Sequence, residues 1–186
     1  MGDLGDWTPG ELEANGNAVM AMIREFFETI EENAVFATIP PAELVALLDA
    51  PLPMQPEPFE RLLDDTKSKI IPHLTHWNHP GFHAYFAISG SGPGIVAEAA
   101  TAAFNVNAML WRSGPAASAL ETVVLGWLAE ILGYPQDADG VLVNGASLGS
   151  FYAVAAALDA TGLEIREKGL AGRDLPRLRL YISDQT

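Results

Sequence analysis

Residues 140–158, GVLVNGASLGSFYAVAAAL, place the tightest limit on what this chain can fold into. A short apolar run, Val141 to Val143, stops at the small-residue turn Asn144-Gly145-Ala146-Ser147, and an Ala-rich helical run begins at once. After a break at Gly162 and a polar helix over about 163–168, a second run, Arg177 to Ser183, alternates toward one face before turning apolar. Strand, helix and strand in that order make a parallel unit, because parallel strands need a crossover and a helix is the usual one. The expected class is therefore α/β. Two strands do not complete such a sheet. The closing Ser183-Asp184-Gln185-Thr186 falls where the next loop would begin, so the sequence is expected to be a fragment of a larger domain.

The turn itself has a chemistry. Backbone N–H groups at a helix N-terminus point outward without intrahelical acceptors, and the helix dipole favours negative charge there. Ser147 adds a hydroxyl in the same place. Gly- and Ser-rich strand-to-helix turns are common in α/β proteins, so the turn alone specifies no ligand. Elimination narrows it. A Walker loop requires Gly-Lys-Ser/Thr, and no lysine occurs between Lys69 and Lys168. A dinucleotide fingerprint requires Gly-x-Gly-x-x-Gly, whereas this turn offers Gly145 and Gly149. A single compact phosphate remains, as in phosphosugar or pyridoxal-phosphate sites.

Composition excludes several other functions. The 186 residues are 49% hydrophobic, enough for a core. There is no cysteine, which removes disulfides, thiolate metal sites and a cysteine nucleophile. The net charge of −14 argues against nucleic acid and anionic membrane as partners. Residues 1–65 hold 14 Asp/Glu against Arg24 and Arg61, while Arg166 to Arg179 hold five of the ten basic residues. That asymmetry is expected to be a solvated face. No apolar run approaches the length of a membrane span and no basic-then-apolar segment opens the chain, so a cytoplasmic protein is expected.

Upstream, Thr8-Pro9-Gly10-Glu11 has the form of a helix start with a capping box. Val19, Ile23, Phe26, Phe27 and Ile30 then recur on one helical face. Leu44, Leu47 and Leu48 mark a second helix after Pro40-Pro41. Phe59, Leu62, Leu63, Ile70 and Ile71 mark a third, beyond a stiff stretch with prolines at 51, 53, 56 and 58. Three such helices cannot close a core among themselves and should lie on another domain or a partner subunit. His73, His76, His79 and His83 fall within eleven residues. Pro72 and Pro80 break the helical spacing a metal pair requires and no acid lies within the run, so packing and hydrogen bonding are expected of them, not metal. Gly90, Gly92 and Gly94 divide a helical segment, 1–90, from the start of a larger domain, 91–186. Beyond them a helix is expected from about Ile95 to Phe104. Another follows, capped by Ser113, buried through Leu120, Val124, Trp127, Leu128 and Ile131, and stopped by Gly133.

Four stretches in one order, HWNHPGFHAYF, NVNAMLWRSGPAASALETVVLGWLAEILGYP, GVLVNGAS and LYISDQT, resemble the group II pyridoxal-phosphate-dependent decarboxylases, aromatic-L-amino-acid decarboxylases above all. The similarity runs from about residue 8 to the end. It implies a type I aminotransferase-like PLP-dependent transferase fold: an N-terminal three-helix segment wrapped on a partner subunit, then a large domain around a mostly parallel sheet. It implies a homodimer, pyridoxal 5'-phosphate as cofactor and an L-amino acid as substrate. Gly145, Ala146 and Ser147 match the family's phosphate-binding turn. Trp77, Tyr85, Phe86 and Ile88 match its substrate wall. Ala87 replaces a proline and Ile88 a threonine usual in the animal enzymes, and the Ile88 contact is thereby more apolar. Leu148 replaces an acid often found beside the serine. No catalytic residue is expected within the chain: the lysine the family bonds to the cofactor, the aspartate that pairs with its ring nitrogen and the histidine that stacks on it all lie further on in family members. The implied reaction is amino-acid decarboxylation, of an aromatic substrate. The alternatives are another reaction on the same scaffold (glutamate or diaminobutyrate decarboxylation, aldehyde synthesis) or an inactive dimerisation or binding piece.

Overall fold

A computed structural model of the chain describes residues 7–135 and 137–184. Gln185 and Thr186, the end of the last family-like stretch, lie outside the described residues. The chain divides into two compact units, Met1–Ala103 and Phe104–Thr186.

The first unit opens with α1 (Pro9–Glu28), and its start has the local chemistry anticipated. The Thr8 hydroxyl accepts from the Glu11 amide at 3.3 Å, and a Glu11 carboxylate oxygen accepts from the Thr8 amide at 2.7 Å. The Thr8 hydroxyl, which also donates to that carboxylate oxygen at 2.7 Å, and then the Thr8 amide hold the Glu11 carboxyl below its ordinary range. A 3-10 turn (Ile30–Glu32), α2 (Pro41–Leu48) and α3 (Phe59–Asp65) follow. The expected single third helix changes pitch partway. Residues Thr66–Ile70 form a π turn and Ile71–His73 a 3-10 turn. The Thr66 and Ser68 hydroxyls donate back to the Leu62 and Asp64 carbonyls, and Pro72 has no N–H to continue the α ladder. Trp7 meets Phe59 edge-on at 4.9 Å, and Lys67 pairs with Glu25 of α1 at 2.6 Å. Helix α4 (Gly92–Phe104) starts three residues earlier than the pattern suggests, with the Ser91 hydroxyl accepting from the Gly94 amide at 3.1 Å.

The second unit holds α5 (Pro115–Leu132), α6 (Ala146–Asp159) and the short α7 (Ile165–Lys168). Gly133 ends α5 in the left-handed region, φ 72°, with the Tyr134 amide reaching back to the Ala129 carbonyl at 2.8 Å. The cap at its other end is Gly114 rather than Ser113, whose hydroxyl donates to the Leu110 carbonyl instead. A side chain has no room there: a Cβ on Gly114 would come within 2.9 Å of the Ala108 Cα. The face of α5 expected to be buried is open, with Leu120, Trp127, Leu128 and Ile131 all exposed. By length and mean hydropathy, 1.3 over 18 residues, α5 would reach across a bilayer.

The expected parallel sheet is absent among the described residues. Residues 141–143 and 177–183 carry no strand structure. A strand exists only as a ladder, and no second backbone lies alongside either stretch to complete one. The shortage of cover is general. The chain exposes 15811 Å², whereas two separate globules of its total mass would expose about 10,000 Å². Ile30 and Phe82 are the only buried apolar residues among those described.

Candidate functional site

The candidate residues fall into two groups, one in each unit. In the second unit, Gly145 is the N-cap of α6, with φ 88° and ψ 148°. This combination is essentially glycine's alone. A Cβ there would meet nothing within 4 Å, so the requirement is torsional and the space in front of the turn is open. The Gly149 amide closes the first turn on the Gly145 carbonyl at 3.2 Å. The amides of Ala146, Ser147 and Leu148 therefore have no intrahelical acceptor, and no side chain caps them. Ala146 and Ser147 are exposed, and the Ser147 hydroxyl has no intramolecular partner among the described residues. Three convergent amides, a hydroxyl and the positive end of a 14-residue helix fit a phosphate.

In the first unit, the loop after the π turn is organised by aromatic rings. Trp77 lies at 4.8 Å from Phe82 and stacks on Tyr85 at 5.7 Å with 15° between planes. Phe82 is buried and also meets Phe36 at 5.6 Å. Tyr85 has φ 58°, a left-handed conformation uncommon for a bulky side chain, and beyond its stack on Trp77 the residue is largely exposed. Of the four expected wall residues, Trp77 and Tyr85 are brought together by ring stacking, and all four are exposed, Phe86 and Ile88 without a ring contact among the described residues. The Asn78 side chain accepts from the Gly90 amide at 2.6 Å and so ties the two ends of the loop.

Two of the four histidines, His76 and His79, act as loop struts. The His79 ring nitrogen Nδ1 accepts from the Gly81 amide at 2.8 Å. His76 is 2% exposed, lies tilted on Phe26 at 5.6 Å, and donates its backbone N–H to the Val35 carbonyl at 2.9 Å. Its Nδ1 has no hydrogen-bond partner among the described residues. Burial first, and the charge of His79 second, hold its pKa below the ordinary histidine value. In the sequence His76 is one of four closely spaced histidines with nothing in its spacing to set it apart. Only its place one residue before Trp77 in the wall could have drawn attention to it. Glu121 was also missed: its carboxylate accepts from the Leu142 amide at 2.9 Å, just upstream of the turn.

A glycine-entered helix start with unused amides and a serine is an arrangement able to accept a compact phosphate group. The pyridoxal-dependent decarboxylase conserved domain matches residues 41–186, and the chain belongs to that family. Phenylacetaldehyde synthase from Petunia hybrida is 36% identical over 182 residues, which cover 96% of this chain and 35% of that protein. Tyrosine decarboxylase 1 from Narcissus pseudonarcissus is 33% identical over 207 residues, 100% of this chain and 40% of that protein. The crystal structure of Catharanthus roseus tryptophan decarboxylase in complex with L-tryptophan superposes with a TM-score of 0.80 at 26% identity, over 90% of this chain and 36% of that one. An Oryza sativa relative solved with PLP gives 0.78 at 25% identity, over 90% and 38%. The chain thus spans well under half the length of these proteins. The likeness supports the pyridoxal-phosphate decarboxylase fold, although the described residues themselves form only its helical parts.

Proposed function

We propose that this chain is part of an enzyme that uses pyridoxal 5'-phosphate to decarboxylate an L-amino acid, an aromatic one, and that it supplies the phosphate clamp and part of the substrate wall. The observation that carries this reading is the uncapped start of α6, with its free Ala146, Ser147 and Leu148 amides. When bound, the cofactor supplies an electron-withdrawing ring that accepts the electron pair left as CO₂ departs. The chain's own residues bind and orient. Gly145 holds the turn open, the α6 amides and the Ser147 hydroxyl donate to the phosphate, and Trp77, Tyr85, Phe86 and Ile88 offer flat apolar surface to an aromatic side chain. Lys67 and Lys168 pair with Glu25 and Glu164, and Lys69 pairs with Asp65, so no lysine of this chain is assigned to the cofactor.

The same reading takes 1–90 as a dimerisation segment with the wall loop and 91–186 as the start of the cofactor domain. The exposed apolar faces of α1, α2 and α3 support a homodimer. The charge of −14 supports a protein that binds neither nucleic acid nor anionic membrane, and the reading takes it as cytoplasmic. The Glu121 carboxylate on the Leu142 amide supports α5 as a helix tied to its own unit rather than lying in lipid.

Ser147→Ala tests the clamp. In the protein as its gene encodes it, affinity for pyridoxal phosphate should fall about tenfold while affinity for pyridoxal stays put. Unchanged phosphate-dependent affinity would overturn the reading. The 186 residues alone should release no CO₂ from amino acids with cofactor added, and measurable release would overturn that part. A second reading, aldehyde synthesis, is favoured by one observation: two relatives at 36% identity are phenylacetaldehyde and 4-hydroxyphenylacetaldehyde synthases. Product analysis with L-tyrosine, L-tryptophan and L-phenylalanine separates the two, an amine supporting the first and an aldehyde with ammonia the second.

A further inference from the structure

We propose that Glu121 is a positioning residue for the phosphate clamp, acting through the backbone that leads into it. The proposal rests on the reading of the α6 start as the cofactor's phosphate site. Glu121 lies in the second turn of α5, half-buried, in a helix otherwise nearly free of charge. Its carboxylate takes the Leu142 amide at 2.9 Å and has no cation partner among the described residues. A charged acceptor on a backbone N–H is a strong bond, and this one fixes the chain three residues ahead of Gly145.

A second contact from the same face of α5 makes the grip two-handed. Leu125, one helical turn beyond Glu121, lies so close to Gly140 that a Cβ there would sit 3.2 Å from the Leu125 Cδ2. Residues 140–142 are therefore held at both ends by α5. The next residue carries the constraint forward. Val143 faces Gly149 of α6, where a Cβ would stand 3.6 Å from the Val143 Cγ2. Gly149 in turn closes the turn on Gly145. Glu121 to Leu142, Val143 to Gly149 and Gly149 to Gly145 form one continuous path from α5 to the amides of Ala146 and Ser147.

Glu121 touches no ligand in this scheme. Its effect should therefore appear in how well the clamp discriminates phosphate, not in whether the ring is bound. In the protein as its gene encodes it, Glu121→Leu should weaken pyridoxal phosphate binding roughly five- to tenfold and pyridoxal binding by less than about twofold. Glu121→Gln keeps an acceptor oxygen at the same reach and should restore most of the phosphate preference. Glu121→Asp falls one methylene short and should behave like Glu121→Leu, which keeps the test available if the leucine variant does not fold. Equal losses for both ligands in the leucine and aspartate variants would mark Glu121 as merely structural and overturn the proposal. So would a wild-type preference in both. Ser147→Ala, run beside them, separates the two layers. If it too leaves the preference intact, the phosphate reading itself has failed. If it lowers the preference while the Glu121 variants do not, only the role of Glu121 is refuted.

Discussion

Replacing Gly145 by alanine separates backbone torsion from packing at the clamp. A Cβ at Gly145 meets no atom within 4 Å, so any cost cannot come from a clash with a neighbour. It must come from holding an L-residue at φ 88° and ψ 148°, a strain of about 1–3 kcal/mol. Gly16 in α1 and Gly126 in α5 are matched controls. A Cβ at either also meets nothing within 4 Å, but both lie inside helices. There the same substitution should stabilise, by about 0.5–1 kcal/mol. Urea unfolding followed by circular dichroism should therefore give a lower midpoint for Gly145→Ala and higher midpoints for Gly16→Ala and Gly126→Ala. The strain can also relax by rotation of the first peptide of α6, which would turn the Ala146 amide away from the phosphate and weaken cofactor binding in parallel. A Gly145→Ala protein as stable as the parent, with both controls shifted upward, would refute the claim that torsion alone keeps glycine at this position.

Other perturbations follow from local contacts. Thr8→Ala removes the side-chain acceptor for the first turn of α1, and unfolding should be easier by about 1 kcal/mol; an unchanged denaturation midpoint would contradict the capping role. Phe82→Ala empties the centre of the Phe36–Phe82–Trp77 cluster and should cost about 3–5 kcal/mol; a loss under about 1 kcal/mol would mean the cluster is not a packed unit. His76 makes stability depend on pH. Its folded-state pKa lies below the ordinary value of 6.5, so the unfolded chain takes up the proton first on acidification. The His76 contribution is complete above pH 6.5, declines as pH falls below that value, and levels off once the folded-state pKa is passed. His76→Gln should flatten the melting-temperature profile in that window, and an equally steep profile in the variant would assign the dependence to another group.

Features set by neighbouring residues were legible in the sequence. The Thr8-Pro9-Gly10-Glu11 box, the left-handed stop at Gly133 and the glycine-entered start of α6 each depend on a few consecutive residues, and each is where the pattern places it. Features set by contacts across the chain were not. The π turn at Thr66–Ile70 arises because two hydroxyls compete for carbonyls one turn back just ahead of a proline, a conflict that apolar spacing does not register. His76 is buried because Phe26 and Val35 meet it from α1 and the loop after it. The histidine run shows the spacing of these residues but not which one turns inward. Ser113 has the composition of a cap, yet the fold-back at Ala108 leaves room there only for Gly114.

The missing sheet and the open face of α5 have one physical cause. Alternating apolar residues at 177–183 and the apolar run at 141–143 describe which side chains would be buried if a neighbour were present. They do not supply the neighbour's carbonyls and amides. The Leu142 amide finds its acceptor in a single side chain, the Glu121 carboxylate of α5. The apolar side chains have no such substitute. Leu178 and Leu180 border a gap of about 430 Å³ against α6, and Trp127 and Ile131 remain in solvent. Polar demands can thus be met one bond at a time by a single side chain, whereas apolar demands need an extended opposing surface. This difference explains why the turn at Asn144–Ser147 is already shaped, with Gly145 at its unusual torsions, while the surfaces around it are uncovered. The clamp's geometry depends on one carboxylate, one valine contact and one glycine, all within Phe104–Thr186.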